Sequence, residues 1–279
     1  MLTLSSADMN TWIAALLWPL ARILGLIAAA PVFGHASVPL SLKVGLGVFL
    51  ALIVAPMVPA MPAADPMSLA GLLILVQETL IGLALGFSIR VVFAAVEMAG
   101  EISSLSMGLG FASFFDPQTQ GQSAAISQFM SMLATMTFLA VNAHLVLLSA
   151  LAESFISLPI SAVPVGGGGF KLLADWGGKI FSSGVQLSLP IVAALLITDI
   201  ALGILTRAAP QLHLFGIGFP ITLGVGFLTL MITLPYLATP VQNLLLDGIE
   251  HTRSMPRNWG AKSAPARTPT TLAAPAAPP

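Results

Sequence analysis

The sequence predicts an all-α integral membrane protein of about six apolar helices, several of them kinked or broken. Three observations carry that expectation. Only 8 % of the 279 residues are charged, against roughly a quarter in a soluble domain. Hydrophobic residues make up 57 %, and the mean hydropathy is +0.97. The apolar residues also gather into stretches of about 20, the length that crosses a hydrocarbon core as a helix. A water-soluble surface of this size needs far more charge to stay dispersed, so lipid is the main solvent.

The first stretch is Thr11 to Ala30. The residues before it carry Asp8 and no Lys or Arg, and the stretch itself contains Pro19 and Arg22, so it lacks the pattern of a cleaved secretory signal and is expected to be retained. Val44 to Met61 is the second and Leu69 to Val96 the third. The start of the different stretch Glu97 to Gln122 extends the third helix, until Gly108 and Gly110 break it. The fourth runs from Ser123 to Leu151. Pro159, Pro164 and the glycines Gly166 to Gly169 then form a loop or hinge, followed by the wetter stretch Lys171 to Lys179.

Ile180 to Leu205 is the fifth segment and contains Pro190; Phe215 to Leu246 is the last and contains Pro220, Pro235 and Pro240. Each proline removes a backbone donor and clashes with the preceding turn, so both segments should be kinked or broken. The last exceeds one span, which predicts a break near Pro235 and Tyr236 and a further helix. Residues 261–279 are mostly Ala, Pro and Thr, with two basic residues, a composition that predicts a disordered tail on a membrane domain of residues 1–260.

Arg253, Arg257, Lys262 and Arg267 follow the last span with no acid after Glu250, which places the C-terminus in the cytoplasm. With six crossings that side holds six basic residues against three, Lys43, Arg90 and Arg207, on the other.

Composition also excludes functions. A net charge of −1 rules out a basic nucleic-acid binder. With no cysteine there are no disulfides, thiolate catalysis, iron–sulfur clusters or Cys-containing zinc sites. The histidines His35, His144, His213 and His251 stand singly, without metal-ligand spacing. No phosphate loop or nucleophile elbow is present. No enzyme chemistry or cofactor is expected, and the lone histidines are expected to be interface residues.

Ionisable groups at membrane depth are costly and carry most of the remaining information. Glu78, Gly82, Gly86 and Arg90 are spaced by four, with Glu97 and Glu101 falling back on the same side. Asp199, Gly203 and Arg207 repeat the order acid, glycine, arginine at that spacing. One reading makes these charges an ion or proton pathway. The favoured reading makes them helix or subunit packing sites, because glycines four apart let backbones approach closely. Acid and arginine within each row are too far apart to pair, so their partners lie on other helices or other chains. A monomeric secondary transporter using Glu78, Asp199 and Arg207 around a midplane site is the alternative from another functional class.

The run Met107, Gly108, Gly110, Phe111, Phe114, Phe115, Asp116 and Pro117 puts apolar side chains on a glycine-flanked, non-helical segment. Such backbone is tolerated in a membrane protein only where it is buried or lines a cavity. Two readings stand side by side: a hydrophobic plug that closes a pore against water, and a re-entrant or interfacial loop anchored by phenylalanine.

From Arg22 to Leu246 the chain resembles the FliR/SctT family of type III export-gate proteins. The resemblance is carried by Arg22, Pro31, Val32, Phe33, Val38, Pro39 and Lys43; by Glu78, Gly82 and Gly86; by Gly100, Gly108 and the triplet Phe115, Asp116, Pro117; and by Asp199, Gly203, Arg207, Pro210, Gln211, Phe215, Gly218 and Pro220. Order and spacing together make it specific. His213 and Thr222 depart from the Asn and Lys usual in the family. The resemblance implies a FliP-like half joined to a FliQ-like half, and a single subunit completing a gate with FliP and FliQ, near FlhB and FlhA, in the flagellar basal body of the bacterial inner membrane. Unfolded flagellar proteins would be the cargo. It implies too that the segment from Gly108 to Asp116 is a plug, with Phe111, Phe114 and Phe115 as occluding side chains, and that the gate sits partly above the membrane plane. The triplet favours the flagellar over the injectisome branch.

Overall fold

The computed structural model describes residues 6–58, 62, 64–111, 125–164, 168–209 and 218–261. These form eight α-helices: α1 (Ser6–Ala29), α2 (Leu40–Val54), α3 (Leu69–Ser106), α4 (Ala125–Ala140), α5 (Ala143–Ser157), α6 (Gly168–Gly177), α7 (Lys179–Ala208) and α8 (Phe219–Ala261). Single 3-10 turns follow α2 at Ala55–Met57 and α3 at Leu109–Phe111.

The axis of the molecule is α3. At its start Ser68 accepts a hydrogen bond from the Gly71 amide (3.1 Å), while the Asp65 carbonyl holds the Ser68 hydroxyl (2.6 Å). That N-cap supplies one of the acceptors a helix start needs. The helix then runs 38 residues, about 57 Å at 1.5 Å per residue, nearly twice a hydrocarbon core. It ends where Gly108 adopts φ 85°, a left-handed conformation that glycine takes at little cost. Helices α1 and α7 lie parallel to α3: Gly25 meets Thr79 and Leu83, and Gly184 meets Ala95 and Met98. Helices α4 and α8 descend antiparallel to it, with Ser127 on Gly100, Gly226 on Met107 and Gly248 beside Val92. The core between them holds Trp18, Phe93, Phe138 and Phe155, all buried, and Phe93 meets Phe138 edge-on at 5.8 Å.

Hydroxyls inside these apolar helices find partners locally. Ser88, Ser103, Thr229 and Thr252 each donate to the carbonyl four residues back, at 2.8–3.1 Å, so no hydroxyl among them is left bare at membrane depth.

Four helical stretches among the described residues are long and apolar enough to cross a membrane: α2 with its following turn, α3, α6 with α7, and α8. The α4–α5 pair, bent by 68°, makes a fifth if it is one span, and the apolar part of α1, Ile13–Ala29, is shorter. The described residues of the predicted apolar segments are mostly helical, but the breaks among them fall elsewhere than predicted. Helix α7 continues through Pro190, and α8 continues through Pro235 and Pro240 without the break expected at Tyr236. Pro220 lies in the first turn of α8, where a missing amide costs nothing. The break instead divides the fourth segment at Asn142, whose φ is 54°. Asparagine is among the few residues that visit the left-handed region readily, and no glycine or proline marks the spot. The glycine-rich hinge is partly helical, since Gly168 and Gly169 open α6.

Candidate functional site: a buried arginine and the glycine seams around α3

Arg22 and Glu78 form the one fully buried ion pair among the described residues, with both side chains at 0 % exposure. Arg22 Nε donates to Glu78 Oε2 at 2.6 Å. Its Nη1 donates to the Ser154 carbonyl (3.0 Å) and to Ser154 Oγ (3.1 Å), and Nη2 donates to the Leu158 carbonyl (3.0 Å). The guanidinium also stands 4.3 Å from the centre of the Phe155 ring, a favourable place for a desolvated cation. One side chain on α1 thus neutralises a carboxylate on α3 and caps the end of α5. A cation at a helix C-terminus also complements the helix dipole. The planar fork of arginine suits this; a lysine ammonium has neither the reach nor the geometry.

The pair sits at that depth because α1 and α3 touch through their backbones. A Cβ on Gly82 would fall on the Arg22 carbonyl oxygen; one on Gly86 would stand 2.7 Å from the Leu26 carbonyl, and one on Gly25 would stand 2.6 Å from the Thr79 carbonyl. Glycine on both faces brings the helices close enough for Arg22 and Glu78 to meet inside the contact.

Two further notches hold the chain on either side of the predicted plug. Met107 is fully buried and its side chain occupies the space that a Cβ on Gly226 of α8 would need. On the return, α4 crosses α3 so closely that a Cβ on Gly100 would stand 2.5 Å from Ser127 Cα. Ser127 Oγ donates to the Glu97 carbonyl (2.8 Å) and Ser131 Oγ to Glu97 Oε1 (2.9 Å). Of the predicted plug residues, Met107, Gly108 and Gly110 are described, as is the backbone of Phe111; Phe114, Phe115, Asp116 and Pro117 lie outside the described residues. So do Pro210, Gln211, His213 and Phe215.

The predicted polar row on α3 divides. Glu78, Gly82 and Gly86 are buried against α1, whereas Arg90 and Glu101 are exposed and Glu97 is half-buried. Residues four apart advance about 40° around a helix of 3.6 residues per turn, so Arg90 stands about 120° from Glu78. The second row differs again. Asp199, Gly203 and Arg207 all face outward on α7, and nothing lies within 4 Å of a Cβ built on Gly203. Glu78, Asp199 and Arg207 are not brought to one site, because α7 meets α3 at Met98 and rises away from Glu78.

Sequence reasoning missed the partner of Glu78. The available signal was Arg22 itself, a cation within an apolar stretch that needs a buried acceptor. It missed too the packing at the foot of α8: a Cβ on Gly169 would fall within the Trp259 indole, Trp176 stacks on His251 at 4.5 Å, and Trp176 Nε1 donates to the Ser88 carbonyl at 2.9 Å.

No group of three or more metal-ligating side chains occurs among the described residues. The fold and its buried polar centre define a multi-pass helical membrane protein in which the buried Arg22 and Glu78 join helices. The family of bacterial export proteins, family 1, matches residues 13–248. The chain is 45 % identical over 247 residues to the flagellar biosynthetic protein FliR of Pectobacterium carotovorum subsp. carotovorum, an alignment covering 88 % of this chain and 94 % of the relative. It is 41 % identical to the FliR of Escherichia coli K12 over the same shares. With the Bacillus subtilis FliR it shares 33 % over 84 % of this chain and 91 % of the relative. The chain belongs to the FliR family of bacterial export proteins. Membership makes it a membrane subunit of the flagellar export apparatus and not an enzyme.

Proposed function

We propose that the chain forms, with FliP and FliQ homologues, the pore through which unfolded flagellar subunits leave the cytoplasm, with FlhB and FlhA homologues beside it in the basal body. The observation that carries this reading is on α7. Asp199, Gly203 and Arg207 face outward among Ile197, Ile200 and Ile204, and charges on a lipid-facing helix are costly unless another protein covers them. In this reading α1 to α5 form the FliP-like half and α7 with α8 the FliQ-like half. All six apolar segments belong to the membrane domain of residues 1–260, and the basic tail of residues 261–279 lies in the cytoplasm.

The action is steric. Gly82, Gly86 and Gly203 let helices and neighbouring subunits pack into the gate wall, with Glu78, Arg90, Asp199 and Arg207 as polar contacts on those faces. The segment containing Met107, Gly108, Gly110, Phe111, Phe114, Phe115, Asp116 and Pro117 closes the gate against ions. The glycine notches at Gly100 and Gly226 fix where that segment leaves α3 and returns to α4, which supports its use as a positioned plug.

Co-expression with FliP and FliQ homologues, followed by mass measurement of the intact complex, tests the assembly. A discrete hetero-oligomer containing this chain is expected, and its absence would sink the reading. Deleting Phe111 to Phe115 in cells with an assembled gate should raise membrane ion conductance; unchanged conductance would remove the plug.

A further inference from the structure

We infer that the uncovered face of α3 is a seam for a helix of another polypeptide, one that carries an acid opposite Arg90 and a base opposite Glu97 and Glu101. The inference deepens the assembly reading above and rests on it. Most of α3 is enclosed by α1, α4, α7 and α8, yet a line of exposed or half-buried positions runs along it: Leu83, Phe87, Arg90, Ala94, Glu97 and Glu101. The steps alternate four and three, the spacing with which one helix presents a straight edge to another in a left-handed supercoil. Leu105, 59 % exposed, continues the line.

The chemistry of the line selects its occupant. Lipid would leave Arg90, Glu97 and Glu101 in or beside hydrocarbon without a counter-charge, Glu97 held only by the Ser131 hydroxyl. Water would leave Leu83, Phe87 and Leu105 wet. Arg90 makes no ion pair among the described residues, and the ion pairs there are Arg22–Glu78 and Arg253–Glu153. Arg90 and Glu97 stand two turns apart, about 10 Å along the axis, a separation that fits two side chains of a facing helix better than one zwitterionic headgroup.

A cleft of about 740 Å³ opens over this part of the line. Arg90, Phe93 and Glu97 form its floor, Ala28 to Ala30 one wall, and Gln128, Ser131 and Thr135 the other. The small wall residues and Ala94 allow close backbone approach, and Ser131 fixes one oxygen of Glu97.

The test uses the full chain in a flagellated host. Arg90→Glu should lower the amount of assembled complex by about tenfold, as like charges face each other across the seam, while the level of the chain in the membrane is unchanged. Ala94→Trp should do the same by bulk. Second-site changes that restore swimming to Arg90→Glu should replace an acid by Lys or Arg on a helix of a different export subunit. Because the chain has no cysteine, Ala94→Cys supplies a unique thiol, which should form a disulfide with a cysteine placed at the suppressor position. Normal assembly of both variants would overturn the seam, as would suppressors confined to this chain. So would labelling of Ala94→Cys in the assembled complex by a water-soluble maleimide, or protection of that thiol without a cross-link to protein. A deletion of the whole gene that leaves cells flagellated would instead sink the export reading, so the two failures are distinguishable.

Discussion

Replacing Arg22 with methionine removes the cation from the one fully buried ion pair among the described residues. Glu78, at 0 % exposure, then has no counter-charge, and breaking a buried pair from one side costs about 3–5 kcal/mol. The Leu158 carbonyl loses its donor as well, for roughly 1 kcal/mol more; the Ser154 carbonyl still receives the Leu158 amide at 2.9 Å. The expected total is about 5 kcal/mol, or a fall of roughly 10–20 °C in melting temperature for a domain of this size. Glu78→Gln also leaves a buried charge uncompensated, partly offset because an amide oxygen still accepts from Nε and the guanidinium keeps the Ser154 and Leu158 acceptors. Replacing both with methionine should recover most of the loss, because a buried pair exchanged for apolar groups is close to neutral. The assay is thermal unfolding of the detergent-purified chain, followed by size exclusion, as a double-mutant cycle. A single Arg22→Met shift under about 3 °C, or a double variant no better than the worse single one, would show that the pair does not hold α1, α3 and α5 together.

Glycine substitutions separate contacts within the chain from contacts to neighbours. Gly82→Ala meets the Arg22 carbonyl, and forcing α1 from α3 should cost about 1–3 kcal/mol in the same melting assay. A Cβ at Gly203 meets nothing within 4 Å, so with Gly203→Leu melting should be unchanged while gate assembly with FliP and FliQ homologues falls; intact assembly would count against a subunit contact there. At the bend, Asn142→Val should destabilise by roughly 1–2 kcal/mol because φ is 54°. Asn142→Gly should be neutral or slightly stabilising, and equal behaviour of the two would rule out a conformational role for this residue.

What the sequence by itself determined is what depends on composition and local pattern. Scarcity of charge and long apolar runs specify membrane helices, and the glycines at 108 and 110 mark the end of α3. The chemistry-bearing rows and the family resemblance were legible because they rest on residue types at fixed spacing along the chain. Proline was a poorer guide: Pro235 lies within a continuous α8, and Asn142 makes the sharper break, since the local cost of a missing amide or a left-handed residue is decided by what the surrounding helices satisfy.

Only the tertiary structure decided which side of each row is covered. Glu78 and Arg90 look equivalent at four-residue spacing, yet one is sealed against Arg22 and the other is open, because the row winds about 120° around α3 while α1 covers a fixed side. Asp199 and Arg207, spelled like the first row, face outward. Whether a charge is a clasp within the chain or a contact offered to another subunit depends on which neighbour fills the space in front of it. Residues far apart in sequence settle that, as Ser154 and Leu158 do for Arg22, and helical periodicity holds no record of them.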